Sequence, residues 1–221
     1  MKVLVGCEYS GIIRDAFSRK GWDAWSCDLL PTESELTVKE GKHYQCDIFE
    51  VLYQDWDLLI AHPPCTYLSY AGEANWNKPG RLQKRLEALE FFARLWESNI
   101  LHICLENPRS CASPVIAKYS QQIQPYYFGN RFIKTTWLWL KNLPLLKYSD
   151  CDTLFEKNTN VEPVSFWCNS GKSKPIIKRF GTTKNTRGVT NSKLRAKSFT
   201  GIANAMAEQW TEYIKTLNKL Q

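Results

Sequence analysis

The chain of 221 residues contains no run of 18 or more apolar residues, so no membrane-crossing helix is expected. Its opening, Met1-Lys2-Val3-Leu4-Val5-Gly6-Cys7, lacks the long apolar stretch and small-residue cleavage site of a secretory leader, and none is expected there. No two of the eight cysteines form a CxxC pair, which argues against a structural zinc site or a thioredoxin-type motif; no metal is expected. They are scattered, at Cys7, Cys27, Cys46, Cys65, Cys104, Cys111, Cys151 and Cys168. Several sit in apolar runs, as free thiols do in a reducing cytoplasm. No internal repeat or low-complexity segment is present, and no Asp or Glu lies between Cys168 and Thr200.

What is present is globular. Hydrophobic residues make up 43% of the chain, aromatics 13% and charged residues 23%, which excludes a largely disordered chain. The length suits one domain with at most a small appendage. The net charge is +7, and the acid-free stretch concentrates it: Lys172, Lys174, Lys178, Arg179, Lys184, Arg187, Lys193, Arg195 and Lys197. Such a run suits a polyanionic partner, with a solvated loop as the plainer alternative.

The hydrophobic pattern alternates between buried-strand runs and amphipathic segments. Strands are expected at Lys2–Val5, Trp22–Ser26, Asp57–Ala61, Ile100–Leu105 and Trp137–Leu140, and Gln45–Ile48 reads as a strand end with Asp47 at its tip. A helix beginning at Ile12 is closed by Gly21. Leu82, Leu86, Leu89, Ala93 and Trp96 predict a helix over 80–98 with that stripe buried. Phe199–Leu217 reads as a closing helix with Ile202, Ala205, Met206 and Trp210 on one side. Strand and helix in alternation predict a parallel α/β sheet with right-handed crossovers.

In such sheets ligands sit outside the carboxyl ends of the strands. The expected strand ends carry Glu8-Tyr9-Ser10-Gly11, Asp28, Asp47 and Pro63-Pro64-Cys65, and the fifth carries Glu106. An acid ending the second strand suits a ribose diol, the role Asp28 fits, and Asp47 could accept from an adenine amino group; a helix cap or loop residue is the plainer reading of each. Cys65 follows two prolines that restrict the backbone and present its thiol at the sheet rim. A thiolate is the best side-chain nucleophile at neutral pH. Because Cys65 and Glu106 end consecutive strands of one βαβ unit, both fall on the same edge of the sheet.

Ala61-His62-Pro63-Pro64-Cys65 and Leu105-Glu106-Asn107-Pro108 resemble the proline-cysteine and Glu-Asn-Val motifs of DNA cytosine-5 methyltransferases. Val5 to Gly11 is similar to a divergent form of their cofactor loop, Cys46-Asp47-Ile48 to their Gly-Asp-Ile, and Ser198 to Met206 to their closing Gly-Asn-Ala-Val segment. The resemblance covers about Met1 to Glu106 and Arg195 to the end, and is most like a short methyltransferase-like branch of phages and prophages. It implies an α/β, Rossmann-like S-adenosylmethionine-dependent methyltransferase fold with a mostly parallel sheet and a small irregular basic insertion. A catalytic core would span 1–142, a reduced target-recognition region 143–197, and a helix returning to the core 198–221.

The family's chemistry implies Cys65, presented by Pro64, as nucleophile at cytosine C6. Glu106, with a raised pKa, would donate a proton to N3, and Asn107 would orient the loop. S-adenosylmethionine would be held by Glu8, Tyr9, Ser10, Gly11, Asp28, Asp47, Ile48, Pro63 and Asn204. DNA is the implied partner, its target base flipped from the stack. Arg131, Lys134, Lys172, Lys174, Lys178, Arg179, Lys184 and Arg187 would meet it, in the cytoplasm of a bacterial host. The family's Gln-x-Arg-x-Arg strand has no clear counterpart in Asn130 to Trp137, and 143–197 is much shorter than the usual recognition domain. A methyltransferase-fold DNA-binding or anti-restriction factor without activity, and C5 modification of a free cytosine nucleotide, are the alternative functions.

Overall fold

The computed structural model describes residues 1–130, 132–148, 164–165 and 197–220. Seven strands form one sheet in the order β3-β2-β1-β4-β5-β8-β6: β1 (Lys2–Gly6), β2 (Asp23–Cys27), β3 (His43–Tyr44), β4 (Leu58–Ala61), β5 (His102–Asn107), β6 (Gln121–Ile123) and β8 (Thr136–Lys141). The first five run parallel; β8 is antiparallel to both β5 and β6. A separate parallel pairing joins β7 (Phe132–Ile133) to β9 (Val164–Ser165). The Rossmann-like reading therefore holds: a mostly parallel α/β sheet, with one antiparallel strand inserted near its edge.

Alternation along the strands makes three layers, because successive side chains leave opposite faces. Val3 and Val5 of β1 join a core with Ile13 and Phe17 of α1 (Ile12–Arg19) and Ile202, Met206 and Trp210 of α5 (Thr200–Lys219). Leu4, from the same strand, faces the other way, toward Phe92 and Leu95 of α3 (Arg81–Trp96). The residues that open the expected 143–197 region pack on the first layer: Leu146 is buried, and Trp210 donates its indole N–H to the Pro144 carbonyl at 3.1 Å.

Two local expectations fail. Asp47 is not a strand tip: β3 stops at Tyr44, and Asp47 caps a 3₁₀ turn over Ile48–Glu50, accepting from Phe49 N–H while Glu50 reaches back to the Asp47 N–H. A carboxylate followed three residues later by Glu is a capping box, and that local geometry outcompetes extension of the strand. The stripe on α3 is also displaced. Leu82 and Leu86 are 61% and 51% exposed, and core packing begins at Ala88 and runs through Phe92 and Leu95. Only the second half of this helix lies over the sheet.

Register fixes the functional edge. Gly6 pairs with both Cys27 and Ala61, and Ala61 with Leu105, so β2, β1, β4 and β5 end in one row. The chain turns back beside β1, between strands that progress toward β3 and those that progress toward β5, the switch point where open α/β sheets bind ligands. Being antiparallel, β8 begins where β5 ends, with Leu138 opposite Glu106 and Trp137 opposite Asn107. The residues just ahead of them, Lys134 and Thr136, thereby reach the same rim.

Candidate active site

A cavity of about 490 Å³ opens on this rim, within the size range of small-molecule sites. Tyr9, Asp28, Pro63, Pro64, Cys65, Glu106, Asn107 and Lys134 all line it. A recess of about 150 Å³ adjoins it, sharing Cys7, Asp28 and Pro64 and adding Asp47, Ile48 and Phe91. The sequence-derived nucleophile, acid and ribose-type carboxylate thus face one space. Ile48 also explains Gly6: a Cβ there would lie 2.0 Å from the Ile48 Cδ1.

The first loop is turned inward. Glu8 is buried, and its carboxylate accepts from the Ile13 and Arg14 backbone N–H groups at 2.8 and 3.2 Å and from the Ser10 hydroxyl at 3.2 Å. It fills the N-terminus of α1, where the helix dipole and unsatisfied N–H groups favour a negative charge. Burial still pushes its pKa up, against the lowering effect of His62 and these hydrogen bonds. Gly11 caps the helix at φ 70°, and a Cβ there would meet the Ser34 Cβ at 2.4 Å. Of the first-loop residues named from sequence, Tyr9 reaches the cavity, while Glu8, Ser10 and Gly11 build the turn beneath it.

Cys65 is half-buried and opens a tight turn, its carbonyl accepting from Leu68 N–H at 3.1 Å and Ser69 N–H at 2.9 Å. Asn107 donates its side-chain amide to the Pro63 carbonyl at 2.7 Å, tying the proline loop to β5. Four other thiols are held protonated. Burial, then Asp28 and Asp47, push Cys7 up to about 12. Cys27, Cys104 and Cys111 are also raised, in each case chiefly by burial.

Glu106 departs from expectation. Burial pushes its pKa up, but Lys134, the hydrogen bond from His62, the His62 charge and the Thr136 hydroxyl together outweigh it and bring the carboxyl down to about 2. The expected raised pKa is therefore overturned: Glu106 is held as a carboxylate by cationic and hydrogen-bonding neighbours. His62 was missed from the sequence as a member of the site. Its Nδ1 lies 3.0 Å from Glu106 Oε2, and it lines the cavity. The available signal was its place inside Ala61-His62-Pro63-Pro64-Cys65, directly after the strand that neighbours β5.

Asn204 is exposed on α5 and lines neither cavity. Lys134 is buried beside Glu106. Arg131, Lys172, Lys174, Lys178, Arg179, Lys184 and Arg187 lie outside the described residues. A further basic cluster, also missed, borders the Cys65 loop. The Arg81 guanidinium lies 4.5 Å from the Tyr67 ring centre, and that of Arg85 4.0 Å from the Trp76 ring.

No protein-family model matches this chain, and no curated protein does. Solved structures do match. One is described as a DNA modification methyltransferase encoded within an E. coli prophage, at 14% identity and a TM-score of 0.43, covering 75% of this chain and 53% of that one. Another is an Entamoeba histolytica methyltransferase, at 14% identity and a TM-score of 0.43, covering 65% of this chain and 53% of that one. The chain thus spans about half the length of either structure it resembles.

Proposed function

We propose that this protein methylates C5 of cytosine in DNA, with S-adenosylmethionine as methyl donor. One observation carries the reading: Cys65, Glu106 and Asn107, from adjacent strand ends, share a cavity that continues past Tyr9 and Asp28 into an Asp47-lined recess. The residues suit the donor, with Asp28 placed between the two spaces for a ribose diol and Ile48, Phe91 and Asp47 around a slot fit for adenine. When bound, the donor supplies an electrophilic methyl group.

The chain's own groups do the rest. Cytosine C5 is a poor nucleophile, and addition of the Cys65 thiolate to C6 makes the ring an enamine at C5. Glu106, anchored by His62 and Thr136, faces the N3 and amino edge of the ring, and Lys134 balances its charge. Asn107 keeps the Cys65 loop in register with Glu106. Once C5 carries the methyl group, transfer of its proton to solvent at the open cavity mouth breaks the C6–S bond, expels the Cys65 thiolate and restores the ring. A base inside a duplex must leave the stack to reach this cavity. Residues 1–142 with 198–221 form the catalytic unit in this reading, and 143–197, with Arg131 and its basic run, meets DNA through phosphates more than through bases.

The test is transfer of a labelled methyl group from S-adenosylmethionine to duplex DNA, single-stranded DNA and dCMP. The expected product is 5-methylcytosine in DNA, absent with Cys65→Ala. No labelled DNA from the wild-type protein would overturn the reading. Cofactor binding without transfer would indicate a lapsed enzyme, and transfer to dCMP alone a nucleotide-modifying one.

A further inference from the structure

Outside the cavity, the rim carries a cluster of cations. Lys78, Arg81, Lys84 and Arg85 lie on or just before the first half of α3, and Arg109 follows β5. Among the described residues none of the five forms an ion pair. Aromatic rings face Arg81, Lys84, Arg85 and Arg109 instead, most closely at two arginines. Arg81 and Arg85, one helical turn apart and so on one face, stack on Tyr67 and Trp76. Lys84 also approaches Tyr67, its ammonium 5.8 Å from the ring centre. Stacking of this kind holds a guanidinium in place without neutralising it.

Position gives the cluster its meaning. Thr66 and Pro108 line the mouth of the cavity, and Tyr67 and Arg109 are their next neighbours in the chain. The two loops are joined: Tyr70 N–H donates to the Arg109 carbonyl at 3.0 Å, and Ser69 bridges to Ser110. From Cys65 to Leu86 the only acid is Glu73, against Lys78, Arg81, Lys84 and Arg85. A polymer that delivers one unit to Cys65 must lay its flanking units across this border.

We propose that the Tyr67–Trp76–Arg81–Arg85 surface, with Lys78, Lys84 and Arg109, binds the phosphodiester backbone of the nucleic acid whose base enters the cavity. The inference rests on the function proposed above for the identity of the polymer, but its contacts are separate from the catalytic groups and from the basic run of 143–197. Backbone contacts of this type fix the register of the strand and carry no sequence information. Each cation that neutralises a phosphate releases a counterion, so binding weakens with salt by about 0.9 log units per log of salt for each contact on duplex DNA.

The experiment measures binding of the full chain to a fluorescent duplex over a range of salt concentrations, comparing wild type with Arg81→Gln/Arg85→Gln. The double variant is expected to lower the slope of log K against log salt by about 1.8, with cofactor binding unchanged. Lys84→Gln alone, at an exposed position, is expected to lower it by about 0.9. Unchanged slopes in both variants, or equal displacement of the duplex by polyglutamate, would overturn the proposal. The readout is binding alone. A wild-type protein that binds with the expected slope yet methylates nothing refutes the proposed reaction and leaves this surface standing.

Discussion

His62 Nδ1 and Glu106 Oε2 stand 3.0 Å apart, joining the loop after β4 to the end of β5. An ionised carboxylate can only accept, so the imidazole donates through Nδ1 and fixes one of the two oxygens. His62 is placed by its own backbone, its N–H donating to the Gly6 carbonyl at 3.0 Å. His62→Ala removes the donor and lets the carboxylate turn. If the proposed reaction holds, its kcat is expected to fall about 100-fold, the scale of a misplaced reacting group, with little change in KM for the proposed donor. His62→Gln, which keeps an amide donor, is expected to recover most of that loss. Steady-state kinetics on the two variants checks the split.

The same carboxyl sets a pH signature. Its pKa falls from 4.5 to about 2 on folding, so its contribution is complete above the unfolded value and lost as pH falls through the folded one. Wild type is expected to lose stability more steeply than Glu106→Gln between pH 4.5 and about 2. Glu8 acts in the opposite sense, since burial raises its pKa and protonation there relieves a cost. The comparison with Glu106→Gln cancels that term, because Glu8 is common to both proteins. Denaturant midpoints across this window give the difference directly.

Arg14 is fully buried and bonds three groups: the Ala24 carbonyl at 2.8 Å, Asp15 at 3.1 Å and Glu40. Asp15 in turn accepts from the Ser34 and Thr37 hydroxyls, which ties α1 to α2 (Glu35–Glu40) beneath the first loop. Arg14→Met is expected to cost about 3 kcal/mol, because it takes a donor from buried Asp15 and leaves the Ala24 carbonyl unpaired, while Glu40 turns to solvent. Urea unfolding measures this loss.

The parts of this molecule legible in the sequence are those set by local repetition. The apolar runs of β1, β4 and β5 and the Ile202, Met206 and Trp210 spacing of α5 gave the layers, and strand ends gave the row that bears Asp28, Cys65 and Glu106. What was not legible depends on partners distant in the chain. Glu106 reads as an isolated strand-end acid until β8 runs back antiparallel and brings Lys134 and Thr136 against it. His62 reads as one residue of a turn until the β4–β5 register sets it beside that acid. Leu82 and Leu86 fit a helical stripe, but periodicity does not say how far a sheet extends under a helix.

Cys7 and Cys65 line the same cavity, and the proposed reaction calls for one of them as nucleophile. Cys7 is buried beside Asp28 and Asp47, and these push its pKa up to about 12. At pH 8 about one molecule in ten thousand would carry that thiolate, and reactivity follows the thiolate. Burial raises Cys27, Cys104 and Cys111 as well. Brief treatment with iodoacetamide at pH 8 is expected to leave these four unlabelled in the folded protein and to label them after denaturation. Cys65, half-buried on the open cavity, is expected to react in the folded state and to be shielded by bound duplex carrying the target base. Peptide mapping by mass spectrometry distinguishes the sites. Labelling of Cys7 ahead of Cys65 would reverse the assignment of the nucleophile.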